Sequence, residues 1–123
     1  MVICMKAIVC GSSSHLKELR KAQEFLSELG YEVIDQFDLN YTGKLFSPRD
    51  LEEIHSIVRH DISKVLEADV VFLLAENPSW GAAIEAMIAK QLGKKVVLML
   101  KKERKGELGS PWPFVISDEI LEY

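Results

Sequence analysis

The sequence predicts an α/β domain of the flavodoxin-like kind: a doubly wound, five-stranded parallel sheet in the order 2-1-3-4-5, with helices on both faces. Three observations predict it. Short apolar runs, too brief for globular helices, alternate with longer segments whose apolar residues recur at helical spacing. The stretch Ala68–Leu100 reads as a complete β-α-β unit. Turns rich in glycine and serine follow the first and third apolar runs, and in such folds the carboxyl ends of those strands flank the ligand crevice.

The first strand is Lys6–Cys10, followed by the turn Gly11-Ser12-Ser13-Ser14. Met5-Lys6-Ala7 is a natural opening for it, with the four residues from Met1 as an extension or an alternative start. A helix is predicted from His15 to Leu29, because Leu16, Leu19, Ala22, Phe25, Leu26 and Leu29 form one apolar stripe. Gly30 stops it, and Tyr31–Asp35 is a short second strand. Residues 36–47 are the longest irregular stretch, with Asn40, Thr42 and Gly43 as turn signals and Tyr41 and Phe46 as aromatics. Loops this long in compact domains are often functional, so it is expected to be a lid or a substrate wall.

Pro48, favoured in a first turn, opens a second helix to Leu66 with Leu51, Ile54, Ile57, Val58, Ile62, Val65 and Leu66 as its apolar positions. Asp69 then leads into Val70–Ala75, a run that suits a strand buried on both faces, and Asp69 itself is expected to bond backbone where that strand begins. Ser79 is a good N-cap for a third helix, Gly81–Leu92, which Gly93 terminates before the fourth strand, Val96–Leu100. A polar segment, a short apolar piece around Trp112–Ile116 and a final helical turn over Ser117–Tyr123 complete the chain.

With 123 residues, 48% of them hydrophobic, residues 1–123 suit one soluble domain. The net charge of −4 and the lack of a basic stripe interleaved with aromatics exclude a nucleic-acid polymer as partner. The one basic cluster, Lys101–Lys105, is read as a solvated loop or short helix. No run is long enough to enter a membrane. Cys4 and Cys10, about 20 Å apart along an extended strand, are too distant for a disulfide, and neither has a metal-ligand spacing. A reducing, cytoplasmic location follows as the simplest expectation.

Two carboxylates stand out. Glu85 lies among Ala82, Ala83, Ile84, Ala86, Met87, Ile88 and Ala89, and Lys90 at i+5 is poorly placed to pair with it. Asp61 falls on the apolar line of the second helix, three after Val58 and four before Val65, where Lys64 or a backbone amide could also satisfy it. Helix N-termini beside the two turns favour an anion. Carboxylates next to an anion site suggest glycosidic chemistry on a phosphorylated or ribosyl substrate, one attacking or stabilising the anomeric carbon and the other managing the leaving-group proton. His15, His55 and His60 show no partner spacing and are read as surface or capping residues, while Trp80 is either a base-stacking wall or packing. A phospho-receiver domain is excluded: Cys10-Gly11 and Ala75-Glu76 do not supply its acidic pair after the first strand and its Asp ending the third.

The stretch HDISKVLEADVVFLLAENPSWGAAIEAMIAKQLGKKVVLML resembles the nucleoside 2-deoxyribosyltransferase superfamily, most nearly its branch of 2'-deoxynucleoside 5'-phosphate N-hydrolases. The matching residues are Asp61 on the second helix, Ala68-Asp69 opening the third strand, and the turn and helix Pro78-Ser79-Trp80-Gly81-Ala82-Ala83-Ile84-Glu85. The clear match covers about a third of the chain, and Cys10-Gly11-Ser12 extends it more loosely. The resemblance implies that Glu85 is the nucleophile at the sugar C1' atom and that Asp61 orients it or assists proton transfer. It places substrate-binding contacts at Gly11, Ser12, Ser13, Ser14, Ser79 and Gly81. A serine at position 79 suits a 5'-phosphate, where the transferase branch commonly has an Asp facing a 5'-hydroxyl. The chain departs from the hydrolases by having Ser14 and His15 where they carry Arg, and Ile8 in place of a first-strand aromatic. His15, Lys44 and Arg49 are the cations available to stand in.

The implied activity is hydrolysis of the base–sugar bond of (deoxy)nucleoside 5'-monophosphates. Base exchange between deoxynucleosides and a non-catalytic nucleotide-sensing module are the alternatives. No metal or organic cofactor is implied; the partners expected are a small nucleotide or nucleoside and a second copy of the chain, as homodimer or larger homo-oligomer.

Overall fold

In the computed structural model the sheet holds five parallel strands in the order β2-β1-β3-β4-β5. They are β1 (Lys6–Cys10), β2 (Glu32–Ile34), β3 (Val70–Leu74), β4 (Lys95–Leu100) and β5 (Glu119–Glu122). Residues 4–39, 41, 44–77 and 79–123 are described; Met1, the turn signals Asn40, Thr42 and Gly43, and Pro78 of the motif lie outside them.

β3 is the centre of the sheet. All five of its residues are buried, and it pairs with β1 from Ala7↔Val70 to Cys10↔Leu73 and with β4 from Val70↔Lys95 to Leu74↔Met99. Asp69 fixes where this pairing starts, as expected: its Oδ2 accepts from the Lys6 amide at 2.9 Å, and its own amide donates to the Lys6 carbonyl at 2.8 Å.

Helices cover both faces. α1 (Leu16–Glu28), entered through a 3-10 turn at Ser13–His15, buries Leu19, Ala22 and Leu26 against Val9, Phe72, Val97 and Met99. The opposite face is packed by α2 (Leu51–Glu67), α3 (Trp80–Gln91) and α4 (Trp112–Ile116), through Val65, Ala82, Ala86, Ala89 and Ile116. The alanines let α3 lie close on the sheet. Ser47 caps the turn into α2, with a reciprocal Ser47–Asp50 capping box. Gly93, in the left-handed region at φ 76°, ends α3, and the Lys94 amide reaches back to the Ala89 carbonyl at 2.9 Å.

Two expectations are corrected. The chain end is not a helical turn: Trp112–Ile116 is the helix and Glu119–Glu122 is the edge strand. Asp118 sets this, its amide donating to the Val96 carbonyl at 2.7 Å and its Oδ2 accepting from the Val96 amide at 2.9 Å, which lays the following residues along the free edge of β4. The apolar stripe of α2 is only partly internal. Val65 is buried, whereas Leu51, Val58 and Leu66 are exposed.

Candidate functional site

The site forms at the carboxyl ends of β1 and β3, where the sheet order changes direction between β1 and its neighbours β2 and β3. Glu85, one turn into α3, points from the alanine face toward the end of β1 and is 8% exposed. Its Oε2 is buried and accepts no hydrogen bond among the described residues. Burial is the main reason its carboxyl is pushed up to about 7. The Cys10 thiol opposes that shift, the negative charge of Asp61 adds to it, and the Gln36 amide opposes it again. Burial also raises the Cys10 thiol well above its ordinary value, with the Glu85 charge adding to the effect. Gln36, 3% exposed, is locked in place by donating to the Val9 carbonyl at 2.8 Å and contacting Cys10 Sγ at 3.7 Å.

Asp61 sits on α2, facing this group. Its Oδ2 accepts from the Tyr41 hydroxyl at 3.1 Å, and its Oδ1 lies 2.9 Å from Nδ1 of His60. Among the described residues, neither Lys64 nor a backbone amide holds it. Tyr41 comes from the irregular segment between β2 and α2. Its hydroxyl is pushed up to about 12, mainly by burial, then by the charge and hydrogen bond of Asp61 and the charge of Glu85; a bond with Ser13 acts the other way. Tyr41 thus brings a phenol from this segment to the carboxylates, whereas position 8 on β1 is Ile.

The other expected residues separate into groups. Ser79 caps α3, its Oγ accepting from the Ala82 amide at 3.4 Å. Gly81 is next to it, and a Cβ built there would lie 3.6 Å from Glu85 Oε1 and 3.9 Å from Ser79 Oγ. A side chain at position 81 would therefore rest against the carboxylate at ordinary contact distance. Gly11 has a packing role: a Cβ there would come 2.7 Å from Leu19 Cδ2 and 3.2 Å from Leu74 Cβ, so the Leu19 side chain would have to shift. Ser12 and Ser14 bond each other at 2.6 Å, and Ser13 reaches Tyr41. Of the three cations considered for the missing Arg, Lys44 pairs with Glu53, Arg49 lines a surface hollow with Glu52 and Glu53, and His15 shares a shallow hollow with Ser12 and Asn77. Trp80 is 90% exposed, which removes the packing alternative.

Four residues were not visible as site residues in the sequence: Cys10, Gln36, Tyr41 in its bonding role, and His60. The expectation that His60 is a surface or capping residue is corrected, since its ring bridges Asp61 and Asp38. A separate apolar cavity of about 280 Å³ lies between α3 and α4, lined by Leu73, Ala82, Ala83, Trp112 and Ile116 with the hydroxyls of Ser79 and Ser110; neither carboxylate reaches it. Among the described residues no group of three or more His, Cys, Asp or Glu side chains is arranged to hold a metal ion. No helix among them is long and apolar enough to cross a membrane.

The fold and this crevice define a doubly wound α/β protein with two carboxylates at the carboxyl ends of its central strands. Solved structures that share the fold include three with the following similarity. A 2-deoxyribosyltransferase from Bacillus psychrosaccharolyticus is 20% identical, with 96% of this chain and 86% of that one covered and a TM-score of 0.71. The CMP N-glycosidase BcmB of Clostridium botulinum is 21% identical, with 96% and 88% covered and a TM-score of 0.54. A conserved protein from Enterococcus faecalis V583 is 12% identical, with 98% and 92% covered and a TM-score of 0.61. No curated protein matches the sequence. Over residues 1–98 the sequence matches the family described as Domain of unknown function (DUF4406), and the chain belongs to that family.

Proposed function

We propose that this protein is a nucleoside-processing enzyme, an N-glycosidase that hydrolyses the base–sugar bond of (deoxy)nucleoside 5'-monophosphates, with residues 1–123 acting as one domain. The observation that carries the proposal is Glu85: a buried carboxylate with an unpartnered oxygen, within electrostatic reach of a second carboxylate and next to a glycine that places no side chain against its Oε1. Burial of this kind is costly unless the group has a task. The likeness in fold to a CMP N-glycosidase and to a 2-deoxyribosyltransferase supports the same class of chemistry.

In the proposed reaction the ionised Glu85 attacks C1' of the sugar. The C1'–N bond breaks with its electron pair going to the base, which takes up a proton from the Asp61–Tyr41 side of the site. Water then attacks C1' and gives up a proton to the Asp61–Tyr41 side, replacing the one the base took, while the C1'–Glu85 bond breaks to restore the carboxylate and release the sugar 5'-phosphate. Ser79 and the Ser12–Ser14 turn, with His15 beside it, would meet the phosphate; a neutral hydroxyl at position 79 accepts an anion where a carboxylate would repel it. No step needs a metal or an organic cofactor.

A homodimer or larger homo-oligomer belongs to the same proposal. Leu51, Val58 and Leu66 on α2, Ile84 and Met87 on α3 and Leu92 just past its end leave apolar side chains exposed on two helices that pack side by side. Light scattering on the purified protein measures it directly, and a monomer at micromolar concentration would remove this part. A cytoplasmic location is likewise proposed, on the two free cysteines.

The test of function is a base-release screen. Each nucleoside and each nucleoside 5'-monophosphate, ribo and deoxy, is incubated with the protein and with Glu85→Ala. Release from monophosphates, abolished in the variant, is expected. Release only with a second free base present would make the protein a base-exchange enzyme. Binding without release would leave a nucleotide-sensing module.

A further inference from the structure

Asp61 is gripped from two sides, and the grip extends to solvent. While Oδ2 takes the Tyr41 hydroxyl, Oδ1 lies 2.9 Å from His60 Nδ1, and His60 Nε2 lies 2.8 Å from Asp38 Oδ1. Exposure of the side chains falls along this line, from 49% at Asp38 to 21% at His60 and 13% at Asp61. Asp38 belongs to the loop after β2 and His60 to α2, so the imidazole links two elements that β-sheet pairing does not join. The titratable groups facing the ring are Asp38 and Asp61, with Tyr41 and then Glu85 and Cys10 beyond them.

An ionised carboxylate accepts hydrogen bonds and donates none. Both ring contacts are therefore hydrogen bonds only when each nitrogen carries a proton; a neutral imidazole has one proton for the two of them. With it on Nδ1, Asp61 is fixed at both oxygens. With it on Nε2, Asp61 loses the bond at Oδ1 and keeps, among the described residues, the Tyr41 hydroxyl at Oδ2.

We propose that His60 is a positioning residue of the N-glycosidase site: its Nδ1–H fixes the Asp61 carboxylate so that Oδ2 holds the Tyr41 hydroxyl beside Glu85, and its Nε2–Asp38 contact anchors the loop. This rests on the function proposed above. His60 touches no reacting atom; it acts through Asp61.

The two amide residues separate the contacts. The amide nitrogen of an asparagine occupies roughly the place of Nδ1, and that of a glutamine the place of Nε2. His60→Asn is expected to keep kcat within about threefold of the parent protein on the monophosphate it hydrolyses, because the bond to Asp61 survives. His60→Gln is expected to lose about tenfold to a hundredfold in kcat with KM unchanged, the scale of one lost charge-assisted hydrogen bond made to the catalytic machinery. Parent-like kcat in both variants, or the reverse order, would overturn the proposal, the reverse order assigning the residue to loop anchoring. If the parent protein releases no base from any nucleotide, the function proposed above fails by itself, and ring-nitrogen NMR decides the geometry. Movement of the Nδ1 resonance in Asp61→Asn and of Nε2 in Asp38→Asn supports the clamp; no movement in either overturns it.

Discussion

The hydroxyl of Tyr41 donates to Oδ2 of Asp61 at 3.1 Å, joining the irregular segment between β2 and α2 to the carboxylate that faces Glu85. The bond brings the one phenol of the site within the electrostatic reach of both carboxylates. It also makes the segment part of the site and not merely a cover for it.

Tyr41→Phe removes that hydroxyl and little else. One exchanged hydrogen bond is worth about 1 kcal/mol of stability, so the melting temperature is expected to fall by only a few degrees. Base release is expected to fall by about tenfold or more, since Asp61 loses the partner through which it faces the substrate. A variant with parent-like kcat would remove Tyr41 from the machinery.

Glu85 was legible because a carboxylate on an alanine face is an anomaly that periodicity exposes. Asp61 was legible from its place on the stripe of α2, and Ser79 from the chemistry of helix starts. The sheet order followed from the alternation of apolar runs and helical stripes. Gln36, Tyr41 and Asp38 were not legible, because the path of a long loop is set by tertiary contacts that no local pattern records. His60 was missed for a related reason: it lies off the apolar stripe, and only the loop carrying Asp38 gives the outer nitrogen of its ring a partner. The chain end was misassigned because four residues, Glu119–Glu122, carry too weak a pattern to compete with the unpaired edge of β4 that captures them.

The pH dependence of activity and of stability should run in opposite directions through Glu85. Its folded value of about 7 lies above the ordinary 4.5, so the folded state holds a proton that the unfolded chain releases between those limits. Stability from this group is complete below about pH 4.5 and is lost as pH rises through about 7. In the proposed mechanism Glu85 attacks as the ionised carboxylate, so kcat/KM is expected to rise across the same interval and level off above it. Glu85→Gln should match the parent protein in urea unfolding at pH 4.5 and exceed it by up to about 3 kcal/mol at pH 8. Equal stabilities at both pH values would show that the carboxyl is not raised.

Gly81 tests access without touching the acids. Gly81→Ala places a methyl at van der Waals distance from Glu85 Oε1, on the exposed side of the first turn of α3. Folding should be unharmed, or favoured by up to about 1 kcal/mol because alanine is the better helix former. Base release should drop with KM rising, and Gly81→Val should drop further. Undiminished turnover in both would mean that substrate approaches Glu85 from elsewhere.

The shift at Glu85 has neighbours of opposite sign, which allows its origin to be dissected. The Asp61 charge raises the carboxyl, and the Cys10 thiol lowers it by hydrogen bonding. Asp61→Asn is therefore expected to move the titration of Glu85 toward the ordinary carboxylate range, and Cys10→Ala to move it higher still. Carbon-13 NMR of the Glu85 carboxyl reads both shifts directly, which matters because Asp61→Asn also disturbs the Tyr41 and His60 contacts and so lowers activity for a second reason. Cys10→Ala leaves only a small void in the core, costing about 1 kcal/mol, so its effect on titration is read in a folded protein. Displacements in opposite directions would establish that the two side chains set the nucleophile jointly. Displacements of the same sign would mean that burial alone controls it and that the polar contacts at the end of β1 serve packing.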